Sequence, residues 1–172
     1  INVMLNRLTE KALYVEQGYG QVEPNHLSAQ RNGQIYAQLP TNSDIKVLEN
    51  GQYVKYDYKA NEVNFEGEGE WMMVFNEVKL YDGWRETYKD FAMKKSNYTE
   101  GVMTPRVIKT NVGDIYTTNC VAEEEIELGS ELSPRAEDGI LSTAGDGSIV
   151  FQVVKVYTMA DGQPAVKLMR IK

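Results

Sequence analysis

The feature that most restricts this chain is a recurrence of spacing. Gly51, Val54, Val63, Gly67 and Gly69 have the same separations as Gly129, Leu132, Leu141, Gly145 and Gly147, each 78 residues later (51 to 129, 69 to 147). With a two-residue adjustment, Val-Phe-Asn-Glu-Val-Lys-Leu-Tyr at 74–81 lies over Val-Phe-Gln-Val-Val-Lys-Val-Tyr at 150–157. Both stretches run turn glycine, short strand, loop, short strand, Gly-x-Gly, long strand. Side chains alternate across a strand. Phe75, Glu77 and Lys79 therefore share one face, opposite Val74, Asn76, Val78 and Leu80. In the second copy Phe151, Val153 and Lys155 lie opposite Val150, Val154 and Val156. Such a unit leaves a sheet edge or an apolar face open, and a second unit is its natural cover. The repeat-like halves are expected at about 45–82 and 123–158.

The text around these stretches is written for strands from Gly33 onward. Strands are expected at 34–39, 45–48, 52–58, 71–81, 107–109, 115–118, 149–157 and 165–171, where aromatic and β-branched residues concentrate. Asn50-Gly51 predicts a hairpin, because both central residues of a type I′ turn need positive φ. Asp161-Gly162 predicts another. Residues 83–98 are charged, carry Trp84, Tyr88 and Phe91 near helical spacing, and read as a short helix or a long loop.

Residues 1–32 read differently. Leu5, Leu8 and Ala12 have helix-like spacing for one or two turns. Gly18 and Gly20 end any helix, each costing about 1 kcal/mol relative to alanine. Residues 21–32 are polar, with Pro24 and His26. The expected architecture is all-β: a sandwich or barrel-like domain at 33–172 with an internal β-repeat, preceded by an extended N-terminal arm at 1–32 that packs weakly on it.

Composition narrows the function. A net charge of −7 opposes general nucleic-acid binding, which needs a basic surface to release counterions. The longest apolar runs, such as 71–75, are too short to cross a bilayer. No basic stretch followed by an apolar one opens the sequence, so no secretion signal is expected. One cysteine, Cys120, excludes an intrachain disulfide and a thiolate zinc cage. One histidine, His26, excludes a histidine-rich metal site within one chain and leaves a serine or cysteine nucleophile with a single imidazole to rely on. The expectation is a protein that is not an enzyme, with no cofactor and no metal.

Glu66-Gly67-Glu68-Gly69-Glu70, near Trp71 and Trp84, offers carboxylates for glycoside hydrolysis or calcium. Glycines between them suit a solvated loop better, and no cation partner is evident. Glu123, Glu124, Glu125 and Glu127 form a second acidic run, read as a solvated face. Gly67-x-Gly69 and Gly145-x-Gly147 lack the Gly-Lys-Ser/Thr of a phosphate loop and are turns. His26 reads as a surface or contact residue, and Cys120 as filler of a core gap. Eleven tyrosines point to contact surfaces, since tyrosine is enriched at interfaces. Leu5, Leu8, Tyr14, Tyr19, His26 and Tyr36 are the candidate partner-binding residues.

The C-terminal text carries a resemblance. Residues 112–119 (Val-Gly-Asp-Ile-Tyr-Thr-Thr-Asn), 128–134 (Leu-Gly-Ser-Glu-Leu-Ser-Pro), 138–141 (Asp-Gly-Ile-Leu), 150–157 and 161–167 resemble capsid decoration (cement) and related head proteins of tailed bacteriophages. The resemblance covers about 113–172, with a fainter echo at 47–81. It implies a β-rich structural virion protein that binds the major capsid lattice and stabilises the phage head. It also implies the capsid as its location, assembly in the host cytoplasm, and self-association on a symmetric lattice. Alternatives are another virion component (tail, connector or fibre-base adaptor), or a carbohydrate-binding or carbohydrate-active domain using Trp71, Trp84 and the acidic loop.

Overall fold

A computed structural model of the chain describes residues 3–4, 18–76, 91–160 and 162–172. In chain order it contains β1 (Val3–Met4), β2 (Val22–His26), the one-turn helix α1 (Ala29–Asn32), β3 (Ile35–Tyr36), β4 (Val47–Glu49), β5 (Tyr53–Asp57), β6 (Glu62–Asn64) and β7 (Met72–Val74). There follow β8 (Ala92–Lys94), β9 (Val107–Ile108), β10 (Ile115–Thr118), β11 (Glu125–Ile126), β12 (Glu131–Pro134), β13 (Leu141–Ser142), β14 (Phe151–Thr158) and β15 (Pro164–Arg170). The chain is all-β, with two main antiparallel sheets packed as a sandwich.

One sheet has the order β6-β5-β7-β9-β3, and the other β13-β12-β14-β15-β10-β2. Apart from β2, the two orders are the same. Taken in chain order, the five strands each unit gives to its sheet are arranged third, second, fourth, fifth, first, with β4 and β8 of the first unit and β11 of the second paired elsewhere. The correspondence reaches single hydrogen bonds. Gly51 N–H donates to Val74 O and Val74 N–H to Gln52 O, as Gly129 N–H does to Val153 O and Val153 N–H to Ser130 O. Lys109 N–H donates to Gln34 O as Arg170 N–H does to Asp114 O. Even the isolated parallel bridges match, Thr41 with Val63 and Val121 with Leu141.

These ladders correct the register read from the letters. Val74 corresponds to Val153, not to Val150, so Met72 rather than Phe75 stands where Phe151 does. The repeat also reaches further than 45–82 and 123–158. Ile35-Tyr36 pairs with Ile108 and Val107 as Ile115-Tyr116 pairs with Met169 and Leu168. A bulge between Val153 and Lys155 further turns Lys155 outward opposite Lys167, so it does not share the face of Phe151 and Val153.

Strict alternation sorts the first sheet. Tyr53, Met73 and Ile108 face the second sheet and join Tyr116, Leu132, Phe151, Val153, Val166 and Leu168 in the central cluster. Val54, Met72, Val74 and Val107 face the other way, into a cluster completed by Leu39, Ile45, Leu48, Met93 and Met103. There β4 and β8 pair as a two-stranded cover. Burying a side chain such as Phe151 or Leu132, both fully inaccessible, contributes roughly 1.5–3 kcal/mol.

The expected arm at 1–32 needs correction at its C-terminal side. β2 pairs with β10 along the edge of the larger sheet, and Leu27 and Ala29 are buried in the central cluster. Asp114 fixes the segment by accepting Ser28 N–H and Ser28 Oγ–H, each at 3.0 Å. The polar text at 21–32 is legible physically: β2 is an edge strand, with only one side paired and Pro24 unable to donate outward. Val3–Met4 forms a two-residue ladder with Ile126 and Glu125. The helical turns expected around Leu5, Leu8 and Ala12 lie outside the described residues.

Two further expectations change. Asn50-Gly51 makes a tight turn, with Gly51 at φ 89°, but not a hairpin: β4 pairs with β8, while β5 pairs with β6 and β7. The turn is a corner that passes the chain between sheets. Within 83–98, Ala92–Lys94 form β8 and Lys95–Asn97 a single 3-10 turn, and 83–90 lie outside the described residues. The hairpin expected at Asp161-Gly162 does join β14 to β15, paired from Thr158 with Pro164 to Phe151 with Arg170 across the bulge, while Asp161 lies outside the described residues. Of the strand expected at 71–81, Met72–Val74 form β7, Trp71, Phe75 and Asn76 are described but not strand, and 77–81 lie outside the described residues.

Gly139 shows how closely the units approach. Its φ is 67°, its carbonyl accepts Tyr53 N–H at 2.8 Å, and a Cβ there would sit 1.7 Å from Tyr53 O. Gly129, at φ 85°, has nothing within 4 Å of such a Cβ. Gly139→Ala should therefore cost about 3 kcal/mol or more, against about 1–2 kcal/mol for Gly129→Ala, in denaturant unfolding. Equal losses would contradict the close approach.

Candidate functional site

The polar chemistry of the described residues concentrates where the two sheets meet. Tyr53 and Tyr116 are fully buried, and their hydroxyls hydrogen-bond at 2.9 Å. Their rings pack on Phe151 with centroids 5.5 and 5.7 Å away. Burial pushes both phenols well above the ordinary tyrosine range. Arg170 crosses the same seam: its guanidinium donates to Glu70 at 2.9 Å, to Thr110 Oγ1 at 3.1 Å, to the Thr110 carbonyl, and to Lys172 O at 2.8 Å.

Two more links cross it. Trp71 Nε1–H donates to Asp146 Oδ2 at 2.7 Å, and Gln52 Nε2–H to Asp138 O at 2.6 Å. Partial burial raises the Asp146 carboxyl, but hydrogen bonds from Ser148, Trp71 and Ser133 outweigh it and hold the group below the usual carboxylate range. Asp138 is in turn held by Arg135. Glu123 accepts Ser142 Oγ–H at 2.6 Å and both Thr143 N–H and Oγ1–H, and these bonds likewise outweigh burial and lower its carboxyl.

This accounts for several expected sites. The acidic loop splits. Glu66 faces a groove of about 540 Å³ with Asp44, Lys46, Glu62 and Asp138. Glu68 and Glu70 face a separate cleft of about 380 Å³ with Lys55, Trp71 and Arg170. The cation partner missing from the local sequence is Arg170, 100 residues away. Trp71 is 1% exposed, with Lys55 Nζ 4.5 Å above its ring, so it offers no stacking platform to a glycan. Trp84 lies outside the described residues. The acidic run at 123–127 is not uniformly solvated, because Glu123 braces the Ser142-Thr143 turn. Cys120 is buried, with the backbones of Gly20 and Gly51 packed against its side chain. Among the described residues, no group of three or more His, Cys, Asp or Glu side chains is placed to hold a metal ion.

The candidate partner-binding residues stand on different elements. Leu5, Leu8 and Tyr14 lie outside the described residues. Tyr19, before β2, is half-buried beneath Lys94, whose Nζ is 4.9 Å from its ring centroid. His26 is exposed at the end of β2. Tyr36 is half-buried, edge-on to Tyr56 at 5.9 Å. Outside that set stand the most exposed apolar side chains among the described residues, Tyr58, Val102, Val112 and Leu128, at 53–70% exposure. Leu128 and Val112 each precede a positive-φ glycine, Gly129 and Gly113, which was the available signal.

Comparison with known proteins adds no relative: no family model, curated protein or solved structure matches the chain.

The tyrosine pair gives a direct test. Tyr53→Phe leaves the Tyr116 hydroxyl buried without its partner and should cost about 1–3 kcal/mol. Adding Tyr116→Phe should cost less than that single change again, since no buried hydroxyl is then orphaned. Because the folded pKa values are raised, the stabilisation is complete below the unfolded value near pH ~10 and is lost as pH rises toward the folded values. Tyrosinate absorbance should therefore show these two phenols ionising only as the chain unfolds. Strictly additive losses in chemical denaturation, or ionisation of all tyrosines near pH ~10 in the folded state, would contradict the pairing.

Proposed function

We propose that the chain is a structural virion protein that binds the major capsid lattice and stabilises the phage head. The observation that supports this reading best is the use made of its polar side chains. Tyr53, Tyr116, Arg170, Asp146, Asp114 and Glu123 all hold strands, turns or sheets to one another. The resulting body is rigid, and its outward chemistry is that of a contact surface: an edge strand bearing His26, exposed Tyr58 and Tyr98, and a sheet face carrying Lys155 and Lys167. A net charge of −7 limits adhesion to packaged DNA and among free copies before assembly. Weak contacts repeated on a lattice add through avidity. The resemblance of residues 113–172 to decoration proteins points the same way.

Within this reading, residues 1–17 are the docking arm, with Leu5, Leu8 and Tyr14 as contacts, and the rest is the scaffold that carries it. Removing residues 1–17 should abolish co-sedimentation with empty capsids, in buffers of low and high salt alike, while leaving one cooperative melt. Removing residues 1–32 should instead destroy the melt, because it takes away β2, Leu27 and Ala29. Full capsid binding by the chain lacking 1–17 would remove the arm from the account. Absence of binding by the intact chain would remove the capsid itself.

A further inference from the structure

Equivalent corners of the two units stand in different surroundings. Asn50-Gly51 is held to β7 by the same backbone bond that holds Leu128-Gly129 to β14, at 2.9 and 2.8 Å. The first corner is covered. Asn50 is 8% exposed and its side chain accepts Asn76 N–H at 2.9 Å. Gly51 lies against Thr118, Cys120 and Val22, and Glu49 Oε1 accepts Gly20 N–H at 3.0 Å.

The second corner has no such cover among the described residues. Leu128 is 61% exposed and precedes Gly129, whose N–H donates to Val153 O, and the bulge residue that follows Val153, Val154, is 40% exposed. Glu127 precedes Leu128 and Lys155 follows Val154 along the chain, both exposed and neither in a salt bridge with a described residue. Lys155 also stands directly across from Lys167. Like charges so placed repel, and an arriving carboxylate would relieve them.

An apolar centre with acid on one side and base on the other is complementary to itself under a two-fold rotation. We propose that this corner is a contact between two copies of the chain, Leu128 of each packing on Val154 of the other and each Glu127 facing Lys155 of the second copy. The patch is far smaller than the roughly 1,200–2,000 Å² of a stable interface, so the pairing is weak and concentration-dependent in solution. It goes beyond the capsid reading, because it requires no capsid, and either can fail alone.

Sedimentation velocity on the purified chain, over a concentration series into the millimolar range, tests it. The weight-average sedimentation coefficient should rise with concentration for the native sequence. Leu128→Glu and the uncharged Leu128→Ser should both abolish the rise without shifting the thermal melt. Glu127→Lys or Lys155→Glu alone should weaken it, and the two together should restore it. A native chain that stays monomeric throughout, association that survives both Leu128 variants, or a double charge reversal that restores nothing would each overturn the proposal.

Discussion

The structure depends on the closure of one seam. Tyr53 N–H bonds to Gly139 O, its hydroxyl to Tyr116, and its ring to Phe151, so a single residue of the first sheet engages the second through main chain, hydrogen bond and packing. The rest of the interface is fitted around that contact. Arg170 reaches Glu70 and Thr110, and Trp71 reaches Asp146, only when the sheets are at this separation. Buried polar groups of this kind are costly when unpaired, which makes the arrangement specific as well as stable.

The two units are stacked in the same sense. Val54 and Leu132 are equivalent, yet Val54 faces the outer cluster and Leu132 the central one. The second unit thus lays its own core face against the back of the first. A head-to-tail stack leaves two unlike ends, and each is closed differently. One is capped by β4 and β8. The other ends in the half-exposed row of Gln152, Met169 and Ile115, beside Lys155 and Lys167. Such a two-unit body presents distinct surfaces to its surroundings.

Much of this was legible in the letters, and the failures have physical causes. Strand positions at 115–118 and the hairpin through Gly162 follow from local propensity and turn chemistry, so they could be read directly. The repeat was visible through its turn glycines, but matching Val-Phe to Val-Phe slid the last strand out of register. Backbone bonds from Gly51 and Gly129 set that register, and side-chain identity does not report them. The repeated Ile-Tyr of β3 and β10 was in plain view and passed over, because each stands too short and too far from the other repeated residues. Polar β2 read as an arm since an edge strand buries little. Asn50-Gly51 formed its turn but no hairpin, because the pairing of the flanking strands was decided by distant partners. The role of Arg170 as counterion to Glu70 was invisible at a separation of 100 residues.

Native-state hydrogen exchange tests the central claim most directly. If the seam makes the two units one cooperative body, the amide protons of Tyr53, Val74 and Val153 should exchange only through global unfolding, with a common free energy equal to that from denaturant. Exchange of Val74 in the first unit at a markedly lower free energy than Val153 in the second, or the reverse, would mean that either sheet opens without the other, and the account would not stand.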